Sequence, residues 1–123
     1  MIIPKYIQKG DTIGVTATSS GITNELKQKR VANATVQLRE KGYNVLCTDN
    51  LYQADWRGCS SDGKTRARQL NDLLSNEDVT CIISAAGGDY LMEMLDDVDF
   101  EKLKANPKWF QGFSDNTGLV YPI

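Results

Sequence analysis

The sequence predicts an α/β fold in which helices cover both faces of a mainly parallel β-sheet. Short β-branched, apolar segments alternate along the chain with longer segments of helical periodicity. Turns of small residues follow the first, third and fourth apolar segments. Because the carboxyl ends of parallel strands lie at one edge of a sheet, we expect these turns to meet there and to form a ligand site.

The first two strands of the predicted sheet flank one long helix. Residues 12–18, TIGVTAT, are β-branched and apolar, as in a buried strand, and Ser19, Ser20 and Gly21 form the turn after them. Apolar residues at three- and four-residue spacing then predict a helix over 24–41, which Gly42 ends. A second strand follows at 43–47.

The next segment, 48–62, is the longest predicted loop of the chain. Its composition is polar and irregular, but Leu51, Tyr52 and Trp56 indicate that part of it packs against the domain. A helix is expected over 63–74, with Ser61 or Asp62 as its cap.

Two further strands complete the predicted sheet. Residues 79–84, VTCIIS, form the third strand, and Ala85 to Gly88 turn the chain into a short helix that bears Leu91, Met94 and Leu95. The pair Asn106-Pro107 marks a boundary before the fourth strand, which is expected at 108–113.

Composition and charge define the class of protein. At 123 residues the chain suits one domain, and its hydrophobic and charged fractions of 41% and 24% are ordinary for a soluble globular protein. The net charge of −2 leaves no basic footprint for a nucleic acid or an anionic membrane, so neither is expected as a partner. The densest basic cluster, Lys27, Lys29 and Arg30, has Glu25 beside it and predicts a solvated helix face.

Two features argue against a secreted or membrane protein. Lysines and a proline interrupt the amino-terminal segment MIIPKYIQKG, so it does not resemble a signal peptide. No segment of the sequence approaches the roughly 18–20 apolar residues of a spanning helix. We therefore expect a cytoplasmic protein.

The residue types that bind metals show no ligand pattern. The three cysteines, Cys47, Cys59 and Cys81, are odd in number and widely spaced, which fits neither a disulfide framework nor a zinc site. The acidic segment DDVD at 96–99 lacks the oxygen-ligand spacing and the central glycine of a calcium loop. The sequence therefore predicts a solvated acidic turn there, with no metal and no cofactor.

Ser114 is the candidate nucleophile. It follows the fourth predicted strand at a tight turn, where its hydroxyl would project from the edge of the sheet, and Gly112 removes a side chain that would crowd the turn. The amide of Asp115 would face the same space and supply one donor of an oxyanion hole. The local pattern by itself favours a serine that caps the following helix, and Asn116 stands where a G-x-S-x-G elbow has its second glycine.

The pair Gly87-Gly88 is the candidate for the second oxyanion donor. Adjacent glycines after a strand let the backbone approach a ligand closely, and the amide of Gly88 would then reach the oxyanion. Gly87, Ser19 and Ser20 are expected to contact the substrate. An ordinary glycine turn is the alternative, whereas a phosphate cradle is disfavoured because neither glycine-rich phosphate motif is present.

Taken together, these motifs resemble the amino-terminal half of the LD-carboxypeptidases, a family of serine peptidases. The family includes murein tetrapeptide carboxypeptidases and microcin C self-immunity proteins. The matching pieces occur in the family's order: K-G-D-T-I-G at 9–14, T-S-S at 18–20, the helix from Arg66 to Leu74, G-G at 87–88 with its aromatic displaced to Tyr90, N-P-K at 106–108, and G-F-S-D-N-T at 112–117. The last of these is the most specific, and it favours Ser114 as a nucleophile over a cap.

The resemblance implies a flavodoxin-like three-layer sandwich, as in class I glutamine amidotransferase-like domains, and a Ser-Glu-His hydrolase. Such an enzyme removes a terminal residue such as D-alanine from a short peptide such as murein tetrapeptide, or accepts an aminoacyl small molecule. Ser114 would attack the scissile carbonyl, and the amides of Asp115 and Gly88 would hold the oxyanion. Family members are typically more than twice as long, and their glutamate and histidine lie in a carboxy-terminal domain.

This chain contains no histidine, which fits a nucleophile domain, residues 1–123, without that second domain. We interpret the chain as truncated, fragmentary or an isolated domain, and expect it to be inactive alone because an unassisted serine hydroxyl is a poor nucleophile. Its apolar end, Leu119, Val120, Tyr121 and Ile123, would face the missing structure, so we expect a homo-oligomer formed through that end.

Two alternatives remain open on the sequence. The first is a stand-alone flavodoxin-like domain that binds a small ligand at the same edge without chemistry. The second is kinship with class I glutamine amidotransferases, although their nucleophile is usually a cysteine and none of the three cysteines sits at a glycine-flanked elbow.

Overall fold

A computed structural model describes residues 2–123 of the chain. It contains a four-stranded sheet in the order β2-β1-β3-β4, and every neighbouring pair of strands is parallel. The strands are β1 (Thr12–Thr16), β2 (Asn44–Cys47), β3 (Val79–Ser84) and β4 (Trp109–Gln111). Helices pack on both faces, so the predicted α/β fold with a parallel sheet is confirmed.

Four α-helices and three 3-10 segments connect these strands. The helices are α1 (Glu25–Glu40), α2 (Gly63–Ser75), α3 (Phe100–Ala105) and α4 (Thr117–Val120). The 3-10 segments are Asp49–Tyr52, Leu91–Asp97 and Ser114–Asn116. Every predicted helix and strand is present, and the predicted short helix after Gly87-Gly88 is the second of the 3-10 segments.

Local sequence explains where the two long helices begin. The Asn24 side chain accepts hydrogen bonds from the amides of Leu26 and Lys27, and that of Asp62 accepts one from the Thr65 amide at 2.8 Å. These caps satisfy amides that have no partner within a helix, and Asp62, rather than Ser61, caps α2.

Strands β1 and β4 are shorter than predicted, and the predicted packing of Trp56 is wrong. Strand β1 ends at Thr16 instead of residue 18, and β4 covers 109–111 instead of 108–113. Lys108 precedes β4, and its buried ammonium donates to the carbonyls of Asn76 and Val79, at 2.6 and 2.5 Å. Burial lowers the pKa of this lysine. The Trp56 side chain is 92% exposed, so it does not pack against the domain, although Leu51 of the same loop is buried.

The main core lies between the sheet and α2. It contains Leu70, Leu73 and Leu74 of α2, Ile82 of β3, and buried residues of the Leu91–Asp97 segment, α3 and α4. Gly14 allows the close approach of α2 to β1, since a Cβ at this position would lie 3.0 Å from the methyl carbons of Leu73.

The opposite face of the sheet carries a smaller cluster. It consists of Val15, Ala17, Ile22 and Leu51, against which Val31 of α1 packs. Helix α1 has no fully buried residue among those the structure describes. This face is therefore only partly covered.

The carboxyl end of the chain is divided between core and surface. Leu119 is buried in the main core, whereas Val120, Tyr121 and Ile123 are exposed. The association through this end stays a prediction.

Two of the three thiols are buried. Cys59 and Cys81 lie in the interior and Cys47 is half-buried, and burial raises the pKa of each. These are properties of unreactive thiols.

Across residues 2–123, no helix combines the length and the apolar character needed to cross a membrane.

Candidate active site at the carboxyl edge of the sheet

The three turns that the sequence singled out lie in contact with one another. A Cβ placed on Gly87 would lie 2.7 Å from the Ser114 Cβ and 3.1 Å from its Oγ. One placed on Gly88 would lie within 2.5 Å of the hydroxyl oxygens of both Ser19 and Ser20. Only glycine fits at either position, because real side chains do not approach this closely. The parallel topology thus brings the three strand ends to one site.

Ser114 adopts a backbone conformation that is rare for residues other than glycine. Its φ is 61°, in the left-handed region; it follows extended Phe113 and is the first residue of the 3-10 segment Ser114–Asn116. Strain of this kind clusters at functional sites and is a property of the strand-to-helix turn that exposes a nucleophile.

The Ser114 side chain is exposed and makes no capping hydrogen bond with the residues described. Phe113 occupies the cap position of the 3-10 segment, and the Ser114 carbonyl instead accepts a hydrogen bond from the Thr117 hydroxyl at 2.8 Å. The capping alternative is therefore unsupported, and the hydroxyl is available to a ligand.

Asn116 ties the serine turn to the other two. Its buried amide donates to the carbonyls of Ala86 and Phe113, at 3.1 and 3.0 Å, and its Oδ1 accepts from the Thr18 hydroxyl at 2.5 Å. A Cβ on Gly112 would lie 2.6 Å from the Asn116 Cβ, so the glycine leaves room for this asparagine. The departure from G-x-S-x-G thus has a structural role: Asn116 stands in the place of the second glycine, and its buried side-chain amide holds the turn in position.

The candidate oxyanion donors are backbone amides without partners. The amides of Gly87, Gly88 and Asp115 donate no hydrogen bond to any residue between 2 and 123. The Asp115 carboxylate points elsewhere, since its Oδ2 accepts from the Leu91 amide at 3.3 Å. The aspartate side chain therefore holds the neighbouring 3-10 segment, while its amide stays available.

The two serines of the first turn differ in accessibility. Ser20 lines the pocket described below, and its amide donates to the Gly87 carbonyl at 3.3 Å. Ser19 is fully buried, and its hydroxyl accepts from the Tyr90 amide at 3.0 Å. Ser19 therefore positions the glycine turn, and the substrate contact expected of it is corrected, because a fully buried side chain does not reach a ligand.

These turns border a pocket of about 500 Å³. Ser114, Gly87, Gly88 and Ser20 form one wall, and the amino-terminal half of α1 forms another. The remaining lining is apolar or cationic: Ile22, Val31, Ala85, Ala86, Phe113, Lys27 and Arg30. The pocket has room for a ligand of a few residues.

A buried arginine supports the pocket from the opposite side. The guanidinium of Arg66 is fully buried and donates to the carbonyls of Thr18 and Tyr90, at 2.7 and 2.9 Å, and to Glu93 at 2.9 Å. It thereby links the end of β1 to the segment after Gly88. Glu93 also pairs with Arg57, whose hydrogen bond is the main cause of the lowered pKa of the glutamate.

The loop at 48–62 is attached to the site without lining the pocket. The backbone of the loop is hydrogen-bonded to the first turn. The Gly21 amide of the turn donates to the Gly58 carbonyl at 3.1 Å, and the Ser60 amide of the loop donates to the Ser19 carbonyl at 2.8 Å. Its exposed side chains, Trp56 among them, lie on the outer surface.

Residues 2–123 contain no cluster of three or more histidine, cysteine, aspartate or glutamate side chains that would hold a metal ion.

The sequence does not reveal the positioning roles of Arg66 and Asn116, because their hydrogen-bond partners lie far away in the chain. The solvated helix face predicted for Lys27, Lys29 and Arg30 is confirmed, since all three side chains are exposed. Lys27 and Arg30 also line the pocket.

Comparison with known proteins agrees with this geometry. Residues 13–123 match the family model described as the LD-carboxypeptidase N-terminal domain. The microcin C7 self-immunity protein MccF of Escherichia coli is 35% identical over 114 residues, which are 93% of this chain and 33% of that protein. A probable murein peptide carboxypeptidase of Bacillus subtilis is 29% identical, with 95% of this chain and 38% of that protein covered.

A solved structure extends the match to three dimensions. The wild-type apo form of MccF superposes with a TM-score of 0.89 at 32% identity, over 98% of this chain and 35% of that one. The chain thus spans about a third of the length of the relatives it matches. Since the family model covers all but the first twelve residues, the chain belongs to the LD-carboxypeptidase family.

Proposed function

We propose that this chain is the nucleophile-bearing part of a serine carboxypeptidase that removes the terminal residue of a short peptide. The observation that carries the proposal is the contact between a strained, exposed Ser114 and a glycine turn whose amides have no partner among residues 2–123. A hydroxyl next to free amide donors is the arrangement that acyl transfer requires.

The proposed reaction proceeds through an acyl-enzyme. The Ser114 Oγ attacks the scissile carbonyl carbon as a general base removes its proton, and the amides of Gly88 and Asp115 stabilise the developing oxyanion. The C–N bond then breaks, the amine of the terminal residue takes the proton from the base, and the shortened peptide remains as an ester on Ser114. Water attacks this ester with the help of the same base, which releases the peptide acid and restores the hydroxyl.

We infer that the base comes from outside these 123 residues, since the chain has no histidine and no carboxylate lines the pocket formed by residues 2–123. The relatives are about three times as long as this chain, and we infer that the corresponding additional part supplies the base. The 123-residue chain by itself would then bind a peptide without hydrolysing it at an appreciable rate.

The family and the pocket both support a short peptide as the substrate class. The name of the Bacillus subtilis relative describes a murein peptide carboxypeptidase, and the pocket volume suits a peptide end of a few residues. A muramoyl tetrapeptide or a shorter peptide that ends in D-alanine is therefore the first substrate to test.

The test compares serine variants of a full-length protein that carries this chain. Ser114→Ala should lower the rate of terminal-residue release by about 10⁶-fold, as loss of a serine nucleophile does elsewhere. Release is measured by mass spectrometry of the shortened peptide. The matched control is Ser75→Ala at the exposed end of α2, where the hydroxyl contacts only the Asn71 carbonyl; this variant should keep full activity.

Retention of cleavage in Ser114→Ala would overturn the proposal. Turnover by the 123-residue chain at the rate of the full-length protein would overturn its second part, since no external base would then be needed.

A further inference from the structure

We propose that Lys27 and Arg30 of α1 form an anion subsite that binds the free terminal carboxylate of the peptide substrate. This inference rests on the proposed function for the identity of the ligand. It adds the residues that would make the enzyme act at a chain end, which Ser114 and the backbone amides alone do not explain.

The first observation is the charge of the pocket. Of its lining residues within 2–123, Lys27 and Arg30 are the charged ones, and both are cations. The chain as a whole is acidic, with 16 acidic and 14 basic side chains, yet none of the acidic ones lines this pocket. A local excess of two positive charges in a chain of net charge −2 selects an anionic ligand.

The second observation is that both cations are unpaired. Neither side chain makes a salt bridge or a hydrogen bond with a residue in the described range 2–123. Lys29, between them in sequence, differs in this respect because its ammonium lies 2.6 Å from Glu25. Both side chains are exposed, so their hydrogen-bond donors are open to solvent and to a ligand that enters the pocket.

The third observation concerns the position of Lys27 in α1. It is the third residue of the helix, in the first turn after the Asn24 cap. The amino terminus of a helix carries a partial positive charge, so a lysine there weakens the helix, whereas an acidic residue stabilises it. A residue that opposes local stability and faces a pocket fits a binding role better than a structural one.

Peptide chemistry points to the terminal carboxylate as the ligand. When the last residue is removed, its carboxylate lies within one residue of the scissile bond, about 3.5 Å of extended chain. Ser114 and the two cations line the same pocket, so one short ligand can occupy both positions. Arg30 offers a planar pair of donors that matches a carboxylate, and Lys27 adds a point charge.

The experiment uses two matched ligands, acetyl-L-alanyl-D-alanine and its terminal carboxamide. Binding to the 123-residue chain is measured by NMR titration, and cleavage by the full-length protein is measured as KM and kcat. Arg30→Gln and Lys27→Gln should each weaken binding of the carboxylate ligand about 10- to 100-fold, the effect of losing a charge-assisted hydrogen bond. The carboxamide ligand should bind weakly to the unaltered chain and be affected little by either substitution.

Lys29→Gln is the control, since it removes a cation from the same helix outside this pocket; carboxylate affinity should stay within about twofold. Arg30→Glu should abolish carboxylate binding by repulsion. Equal binding of the two ligands, or equal losses for both in the variants, would overturn the subsite. Failure of the proposed function gives a different result: no Ser114-dependent cleavage, with the binding comparison still deciding the subsite.

Discussion

The two faces of the sheet differ in how completely they are covered. On the face of α2, eleven buried residues form one continuous core that includes parts of α3, α4 and the Leu91–Asp97 segment. On the face of α1, four buried residues form a small cluster, and a second pocket of about 300 Å³ opens between α1 and the ends of β3 and β4. The candidate active site lies at the end of this open face.

The difference places the residues that stabilise the fold on one face of the sheet and the candidate ligand-binding residues on the other. A parallel sheet needs both faces covered, and here one helix covers much of the second face only loosely. The buried face holds the strands in register. The open face leaves Ser114, its neighbouring glycines and two unpaired cations accessible to a ligand.

The largest effect on stability is expected on the buried face. Leu70→Ala removes a fully buried α2 side chain from the main core and should lower the free energy of unfolding by about 2–5 kcal/mol. Urea denaturation followed by circular dichroism measures this change. A loss below about 1 kcal/mol would contradict the tight packing of this core.

A substitution at the end of the open face should lower catalytic activity. Gly87→Ala places a Cβ 2.7 Å from that of Ser114, so the serine turn must shift. In a full-length protein, kcat/KM should fall by about 100-fold, the effect of a misplaced reacting group. Wild-type kcat/KM in this variant would show that the contact between the two turns is not needed for catalysis.

A smaller effect on stability is expected when the pH is lowered, through Glu93, whose carboxylate supports the site. The pKa of Glu93 lies below its ordinary value of 4.5, mainly because Arg57 donates a hydrogen bond to the carboxylate. Between the folded and the unfolded pKa of Glu93, the unfolded chain therefore binds more protons than the folded one. The stabilisation that the ionised Glu93 contributes is present above pH 4.5 and is lost as the pH falls through the folded pKa. Stability should decline more steeply with acid in the wild type than in Glu93→Gln. Equal slopes in pH-dependent urea denaturation would contradict this role.

The smallest effect is expected from the helix on the open face. Leu38 of α1 is only half-buried beside the second pocket, so Leu38→Ala should lower the free energy of unfolding by about 1 kcal/mol or less. The comparison with Leu70→Ala uses the same chemical change on opposite faces. Equal losses at the two positions would mean that α1 is as firmly packed as α2.

Much of the fold followed from local patterns. Hydrophobic periodicity, caps such as Asn24 and Asp62, and the glycine turns gave the element order, because these signals act within a few residues. Two expectations failed because they depend on tertiary structure: Lys108, predicted to lie in β4, precedes it and bonds the carbonyls of Asn76 and Val79, and Trp56 lies on the surface.

The residues of the candidate site also fall into those that local patterns predict and those whose roles depend on distant contacts. Ser114, Gly87, Gly88 and Ser20 were identified because small residues after parallel strands meet at one edge whatever the details of packing. The positioning roles of Arg66 and Asn116 depend on hydrogen bonds to residues far away in the sequence, such as those to Thr18. No local pattern reveals such partners.

The sequence by itself determined the order of strands and helices, the family and the candidate nucleophile, because these depend on short motifs and on periodicity. Only the tertiary structure decided that Ser19 is buried while Ser20 faces the pocket, and that Lys27 and Arg30 line it unpaired. The physical reason is that burial and ionic pairing depend on which segments the fold brings together, and neighbouring residues in the sequence can end in opposite environments.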